Sequence, residues 1–131
     1  MGEGWNVRCA ACGWHRDNLR TGVGWAYHDL RAVLDAIELP YREEVRALLD
    51  EKADVQADYG HELFRCPACR AVTSRLAVRL KVERGRTYRT RFYCAACGKE
   101  LKAVKPGQLN GAPCPACGHE ALVCEQSMLW D

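Results

Sequence analysis

Eight of the nine cysteines in this 131-residue chain fall into four Cys-x-x-Cys pairs: Cys9/Cys12, Cys66/Cys69, Cys94/Cys97 and Cys114/Cys117. No other feature restricts the fold as tightly. A tight turn with this spacing aims two sulfurs at one point, and two such turns complete a tetrahedral four-sulfur set. All eight are therefore assigned as metal ligands, with two Zn2+ ions as the expected cofactors and iron as the competitor for a tetrahedral sulfur site. A redox pair would sit at a helix N-terminus, whereas strand-like sequence flanks these turns. A secreted disulfide framework does not explain the paired spacing or the odd ninth cysteine, Cys124. The chain opens with no basic-then-apolar leader, and no apolar run approaches the ~18 residues of a membrane span. A soluble protein of the reducing cytoplasm is expected. Only 2 Phe, 5 Tyr and 4 Trp supply large aromatic surface, a thin core of the kind that needs metal to hold it.

Two pairings of the turns are open. Cys66, Cys69, Cys94 and Cys97 can form one site, leaving Cys9, Cys12, Cys114 and Cys117 to close the chain ends. Alternatively the order is sequential: Cys9/Cys12/Cys66/Cys69, then Cys94/Cys97/Cys114/Cys117. Cys-Ala-Ala-Cys-Gly occurs at 9–13 and 94–98, and Cys-Pro-Ala-Cys at 66–69 and 114–117. That alternation, read as an internal repeat, favours the sequential pairing. So do the spacings, because removing residues 25–62 as an insert makes the first gap nearly equal to the second.

The insert carries helical periodicity. Asp29 can cap a helix with Leu30, Val33, Leu34 and Ile37 on one face. Pro40 then opens a second, to about Ala57, with Val45, Leu48, Leu49 and Ala53 in register, closed by Tyr59-Gly60. Gly22-Val23-Gly24 is read as a packing turn. From Val72 to Val82 apolar and polar residues alternate with period two, a strand with one buried face. The chain turns through Glu83 to Arg86 and returns through Tyr88, Thr90 and Phe92, giving a hairpin with Arg75, Arg79, Lys81, Arg89 and Arg91 on one face. Short strands are expected at His15 to Leu19, Glu100 to Val104 and Ala121 to Trp130, with Trp130 tucked against the body.

Charge is unevenly distributed. Residues 29–62 carry a balance of −6 and residues 63–105 a balance of +10, within a total of +2. Like charges across a hairpin repel, so the basic face calls for an acidic counterpart. Nucleic acid, an acidic protein partner and the protein's own acidic insert all qualify. Tyr88, Tyr93, Trp14 and Trp25 are candidates to stack on bases. His15 and His119 lie close in sequence to cysteines and are expected beside the metals without ligating them. Cys124 lacks a local base and reads as a buried thiol.

The paired knuckles on strand-like sequence, over residues 5–20 and 63–131, resemble zinc ribbons, the rubredoxin-like class. An early Cys-x-x-Cys-Gly, the Gly22-Val23-Gly24 bend and a terminal Leu129-Trp130-Asp131 are also similar to small bacterial double zinc-ribbon proteins. The resemblance implies a small metal-stabilised α+β fold of two antiparallel zinc-ribbon units with a two-helix insert. Residues 1–93 would form the first unit, holding the insert (about 25–62) and the basic hairpin (72–93), and 94–131 the second. It also implies a scaffold that leaves activity open. The favoured function is a non-enzymatic module that associates with nucleic acid through the basic hairpin. The alternative is a protein-protein adaptor docking through the insert, and the third an enzyme using Cys124 or a histidine.

Overall fold

A computed structural model of the chain describes residues 2–23, 29–51, 55–82 and 85–130. The expectations placed on Gly24, Trp25, Ala53, the Glu83-Arg84 turn and Asp131 lie outside these residues. Within them the protein is a small α+β fold built from two sheets whose strand pairs are all antiparallel.

The first sheet has β1 (Gly2–Cys9) at its centre, flanked by β2 (His15–Thr21) and by β7 (Leu122–Trp130). The β1–β7 register runs from Gly2 opposite Trp130 to Cys9 opposite Leu122, so strands from the two ends of the chain lie side by side. The second sheet has the order β5-β4-β3-β6, with β3 at Gln56–Arg65, β4 at Val72–Lys81, β5 at Thr87–Arg89 and β6 at Lys102–Val104. A bridge between Gly22 and His61, with two N–H···O bonds of 2.9 Å, ties the end of β2 to β3. The short helix α2 (Pro106–Leu109) precedes β7.

The alternation of β4 is borne out, but both of its faces are used. Leu76, Val78 and Leu80 point into a cluster with Leu30, Val33, Leu34, Ile37 and Val45. Ala77 faces the other way and, being small, admits Phe64 and Phe92, whose rings meet edge to face at 5.1 Å. The insert thus covers one face of the sheet with its own apolar stripe. Each fully buried leucine contributes about 1.5–3 kcal/mol of transfer free energy to that closure. A third cluster, containing Val7, Leu19, Leu63, Leu109 and Leu122, fills the space between the two sheets.

The insert differs in form from two helices. Its first segment is a six-residue 3-10 turn, Arg31–Ala36, with the Asp29 carboxylate accepting the Ala32 N–H at 2.9 Å. Its second is the α-helix α1 (Tyr41–Glu51), and from Gln56 the chain is already strand β3. Tyr59-Gly60, expected to end a helix, sits inside that strand. Local alternation in Gln-Ala-Asp-Tyr-Gly-His-Glu is weak. Its conformation comes from β4, which pairs with it over ten residues from Gln56–Lys81 to Arg65–Val72.

Trp130 is tucked in, as expected, and clips the sheets together. Its indole N–H donates to Glu3 O at 3.0 Å and lies 3.3 Å from Thr21 O. The Arg20 guanidinium stands 4.7 Å from its ring centre, and His61 meets it edge-on at 5.3 Å. A Cβ at Gly2 would fall 2.2 Å from Trp130 Cε2, so only glycine fits beneath the indole.

Two outcomes follow from this clip. Replacing Trp130 by Ala is expected to lower unfolding free energy by about 3–5 kcal/mol in urea titration, as for other large buried rings. His61, half-buried, has its pKa pushed down by burial first and by Arg20 second. The unfolded chain therefore takes up a proton near pH 6.5 that the folded chain refuses. Stability should fall between pH 7.5 and 5.5, and a His61→Gln variant should lose less over the same interval.

Candidate metal centres and the basic face

Four sulfurs converge at each of two places: Cys9, Cys12, Cys114 and Cys117 in one group, Cys66, Cys69, Cys94 and Cys97 in the other. Within each group all ligand atoms lie within 4.8 Å of one another. Cys9–Cys117 and Cys12–Cys114 sulfur distances are 3.6 and 3.7 Å, and Cys66–Cys97 and Cys69–Cys94 are 3.4 and 3.3 Å. A tetrahedron with metal–sulfur bonds near 2.3 Å has edges of about 3.8 Å. A disulfide needs about 2.0 Å. The sulfurs fit a four-thiolate metal site and all nine cysteines are free thiols.

The favoured sequential pairing is overturned. β1–β7 pairing sets Cys9 beside the Cys114 turn, reinforced by the Ala10 N–H to Ala121 O bond of 3.0 Å. The β3–β4 turn carries Cys66 and Cys69, and the Leu101 N–H to Phe92 O bond of 2.7 Å closes the loop that carries Cys94 and Cys97. The sites are nested, the outer one joining the ends of the chain and the inner one lying within it. The alternating knuckle types remain meaningful, because each group still takes one Cys-Ala-Ala-Cys-Gly and one Cys-Pro-Ala-Cys. Sheet pairing decides which two meet.

Each knuckle is built alike. The residue after the second cysteine has positive φ, Gly13 at 80°, Gly98 at 75° and Gly118 at 78°, and its N–H returns to the carbonyl of the first cysteine at 2.8–3.0 Å. That turn aims amides at sulfur: Ala11 N–H toward Cys9 and Cys69 N–H toward Cys66 at 3.4 Å, and Ala116 N–H toward Cys114 at 3.3 Å. The amide of the second cysteine, with its neighbour's, holds the first thiol down; Cys66 is lowered to about 6, mainly by the Cys69 amide. Cys9 and Cys94 move the same way for the same reason, through the Cys12 and Cys97 amides. The amides thus favour the thiolate at the first cysteine of a knuckle, whereas Cys12, Cys69 and Cys97 are raised, the amides of Trp14, Ala71 and Lys99 being outweighed by burial and the neighbouring sulfurs.

The second knuckle departs from the rule. Arg70 occupies the glycine position with φ 66°, conformationally costly for a residue with a Cβ. Its Nη1 lies 3.0 Å from where a Cβ on Gly118 would stand, so the side chain reaches from the inner site to the outer one. Arg65 reaches the same way, donating to Pro113 O at 3.3 Å. With a divalent ion each four-thiolate group carries −2, and the two arginines stand between them. Sequence reading passed over this strut. Its visible signal was the one knuckle of four lacking the glycine.

His119 and the ninth cysteine fall where expected, and His15 is engaged with an acid. His119 Nδ1 is 3.4 Å from Cys117 Sγ, beside a complete sulfur set, and exposed His15 contacts Asp17 at 3.2 Å. Cys124 is buried in the cluster between the sheets, and burial pushes its thiol up, away from the nucleophilic form.

The basic face is partly answered from within. Arg75 pairs with Glu38 at 2.6 Å, Arg79 with Glu62 at 2.9 Å and Asp58 at 3.8 Å, and Arg91 with Glu100 at 3.6 Å. Glu38, Asp58 and Glu62 belong to the acidic stretch. Lys81 and Arg89 are exposed and have no acidic partner among the described residues. Arg89 stands directly opposite Arg79 in the β4–β5 register, a like-charge pair. Of the proposed stacking residues, Tyr93 is exposed, Tyr88 is half-buried with its hydroxyl donating to Glu44, and Trp14 packs against the core.

These observations define a small α+β protein with mostly antiparallel strands and two four-cysteine groups fit to bind metal. Comparison with protein-family models, with curated proteins and with solved structures finds no match. No described helix is long and apolar enough to cross a membrane.

The nested pairing makes a simple prediction. The double variant Cys12→Ser/Cys114→Ser should lose one metal ion of two, counted by native mass spectrometry, because both residues serve the same site. A sequential arrangement would lose both.

Proposed function

We propose that the chain is a non-enzymatic zinc-ribbon module with two structural zinc ions, and that it associates with nucleic acid through the face bearing Arg79, Lys81, Arg89 and Arg91. The supporting observation is the Arg79–Arg89 cross-strand pair, flanked by Lys81, in which Arg89 and Lys81 have no acidic partner among the described residues. Opposed like charges destabilise a hairpin unless an anion sits between them, and phosphate is the anion that arginine engages in bidentate fashion. Arg75 is left out of this set, since Glu38 and the Phe92 ring, 5.7 Å away, already hold it. Docking through the insert is less favoured, because Val33, Leu34, Ile37 and Val45 cover the protein's own sheet. Four thiolates leave a zinc ion no open position, so its contribution is a cross-link.

Two measurements test this reading. Stripping the metals with a strong chelator should unfold the chain, since structural zinc is worth about 10–16 kcal/mol per site in small peptides. Retention of the native circular dichroism spectrum with metal absent counts against it, and a coloured, iron-containing product counts against zinc. Affinity for a mixed-sequence nucleic acid should fall steeply with salt, and Lys81→Ala/Arg89→Ala should reduce the log–log slope by about 1–2. Binding unchanged by both substitutions rules out this face.

A further inference from the structure

Two clefts meet at the Arg79–Arg89 pair. The inner one, of about 280 Å³, has Phe64, Ala77 and Phe92 at its floor and Arg79, Arg89 and Arg91 around it. The outer one, of about 450 Å³, is lined by Asp58, Lys81, Thr87, Tyr88 and the same two arginines. Strand geometry explains their continuity. Ala77, Arg79 and Lys81 alternate onto one face of β4, and the register places Asp58 and Arg89 on that face opposite Arg79, and Thr87 opposite Lys81. The clefts are therefore successive stretches of one trough along β4, its inner end closed by the segment that leads to the Cys94 knuckle.

We infer that this trough takes a single strand of nucleic acid, its phosphates running from Lys81 past the Arg79–Arg89 pair toward Arg91. The inference rests on the nucleic-acid reading above and specifies the form of the ligand. From Ala77 to Lys81 the trough spans about 13 Å of strand, the length of a few nucleotides, whereas one turn of duplex occupies about 34 Å. A duplex presents convex phosphate ridges that meet a flat or protruding basic surface, or receive an element in the groove. A single strand can turn its phosphates into a recess. An electropositive groove that tracks the backbone is the form that sequence-tolerant single-strand sites take, and here the cations carry it, since Tyr88 lies opposite Leu80 on the other face of the sheet and Phe92, at the floor of the inner cleft, is only 4% exposed. The acids along the trough are exposed or half-exposed: Asp58 stands 82% exposed, Glu100, which lines the inner cleft and pairs with Arg91, 40%, and Glu62 33%. Ion pairs of that kind are weak and exchange readily for phosphate. Asp58 is the lining acid opposite Arg79 and opposes any anion bound there.

The test uses the full, metal-loaded chain and fluorescence anisotropy with two probes, a short labelled oligothymidylate and a hairpin duplex of equal length. The single strand should bind about tenfold tighter. Arg89→Ala should weaken it about three- to tenfold, and Asp58→Asn should strengthen it about two- to threefold by removing the opposing charge. Both positions are exposed, and native mass spectrometry confirms two metals in each variant. Equal or tighter binding of the duplex overturns the single-strand inference while leaving the nucleic-acid reading intact. Single-strand binding that ignores both substitutions overturns the trough and, with it, the face proposed above. Failure to bind either probe overturns both.

Discussion

Four thiolates brought within 4.8 Å of one another repel unless a cation sits between them, and this protein makes that arrangement twice. The rest of the structure depends on it. The outer group reaches from Cys9 to Cys117 and so closes nearly the whole chain, while the inner group closes the stretch from Cys66 to Cys97. Closing a long loop costs only slightly more entropy than closing a short one, because the cost grows with the logarithm of length. The β1–β7 ladder offsets much of it by bringing the ends together with backbone hydrogen bonds. Metal and sheet would support each other: the sheet assembles the four sulfurs, and a bound ion would make a thin core sufficient.

The two sites are also joined to each other. Arg70 accepts a positive φ to lie over Gly118, and Arg65 reaches Pro113, so cationic side chains from the inner knuckle rest on the outer one. With a divalent ion in each, the two centres would carry negative charge and repel through a medium of lower dielectric than water. Arginines between them reduce that repulsion and fix the relative position of the sheets, a task shared with Trp130 at the opposite end of β7.

Charge organises the second sheet in a similar way. The acidic stretch contributes Glu38, Asp58 and Glu62 to Arg75 and Arg79, which answers part of the imbalance between the two segments. Exposed pairs of this type add little stability each. Their effect is on availability: they withdraw Arg75 from the surface and leave Arg89 and Lys81 open beside two continuous clefts.

From the sequence alone came the eight ligand cysteines, the basic alternating strand, the buried Cys124, the tucked Trp130 and the helix that starts after Pro40. Each is local information, carried by spacing or periodicity within a few residues. The strand β3 was hidden because Asp58, Gly60 and Glu62 dilute its alternation, and it is a strand only because β4 lies alongside it. The first expected helix shortened to a 3-10 turn because packing on Leu76, Val78 and Leu80 decided its form. Pairing of the knuckles was likewise beyond local reading: both solutions use the same turns, and the alternating knuckle types satisfy either one. Only the tertiary structure chose, through the long-range registers of β1 with β7 and of β3 with β4, because a metal binds whichever sulfurs the backbone hydrogen bonds bring to one point.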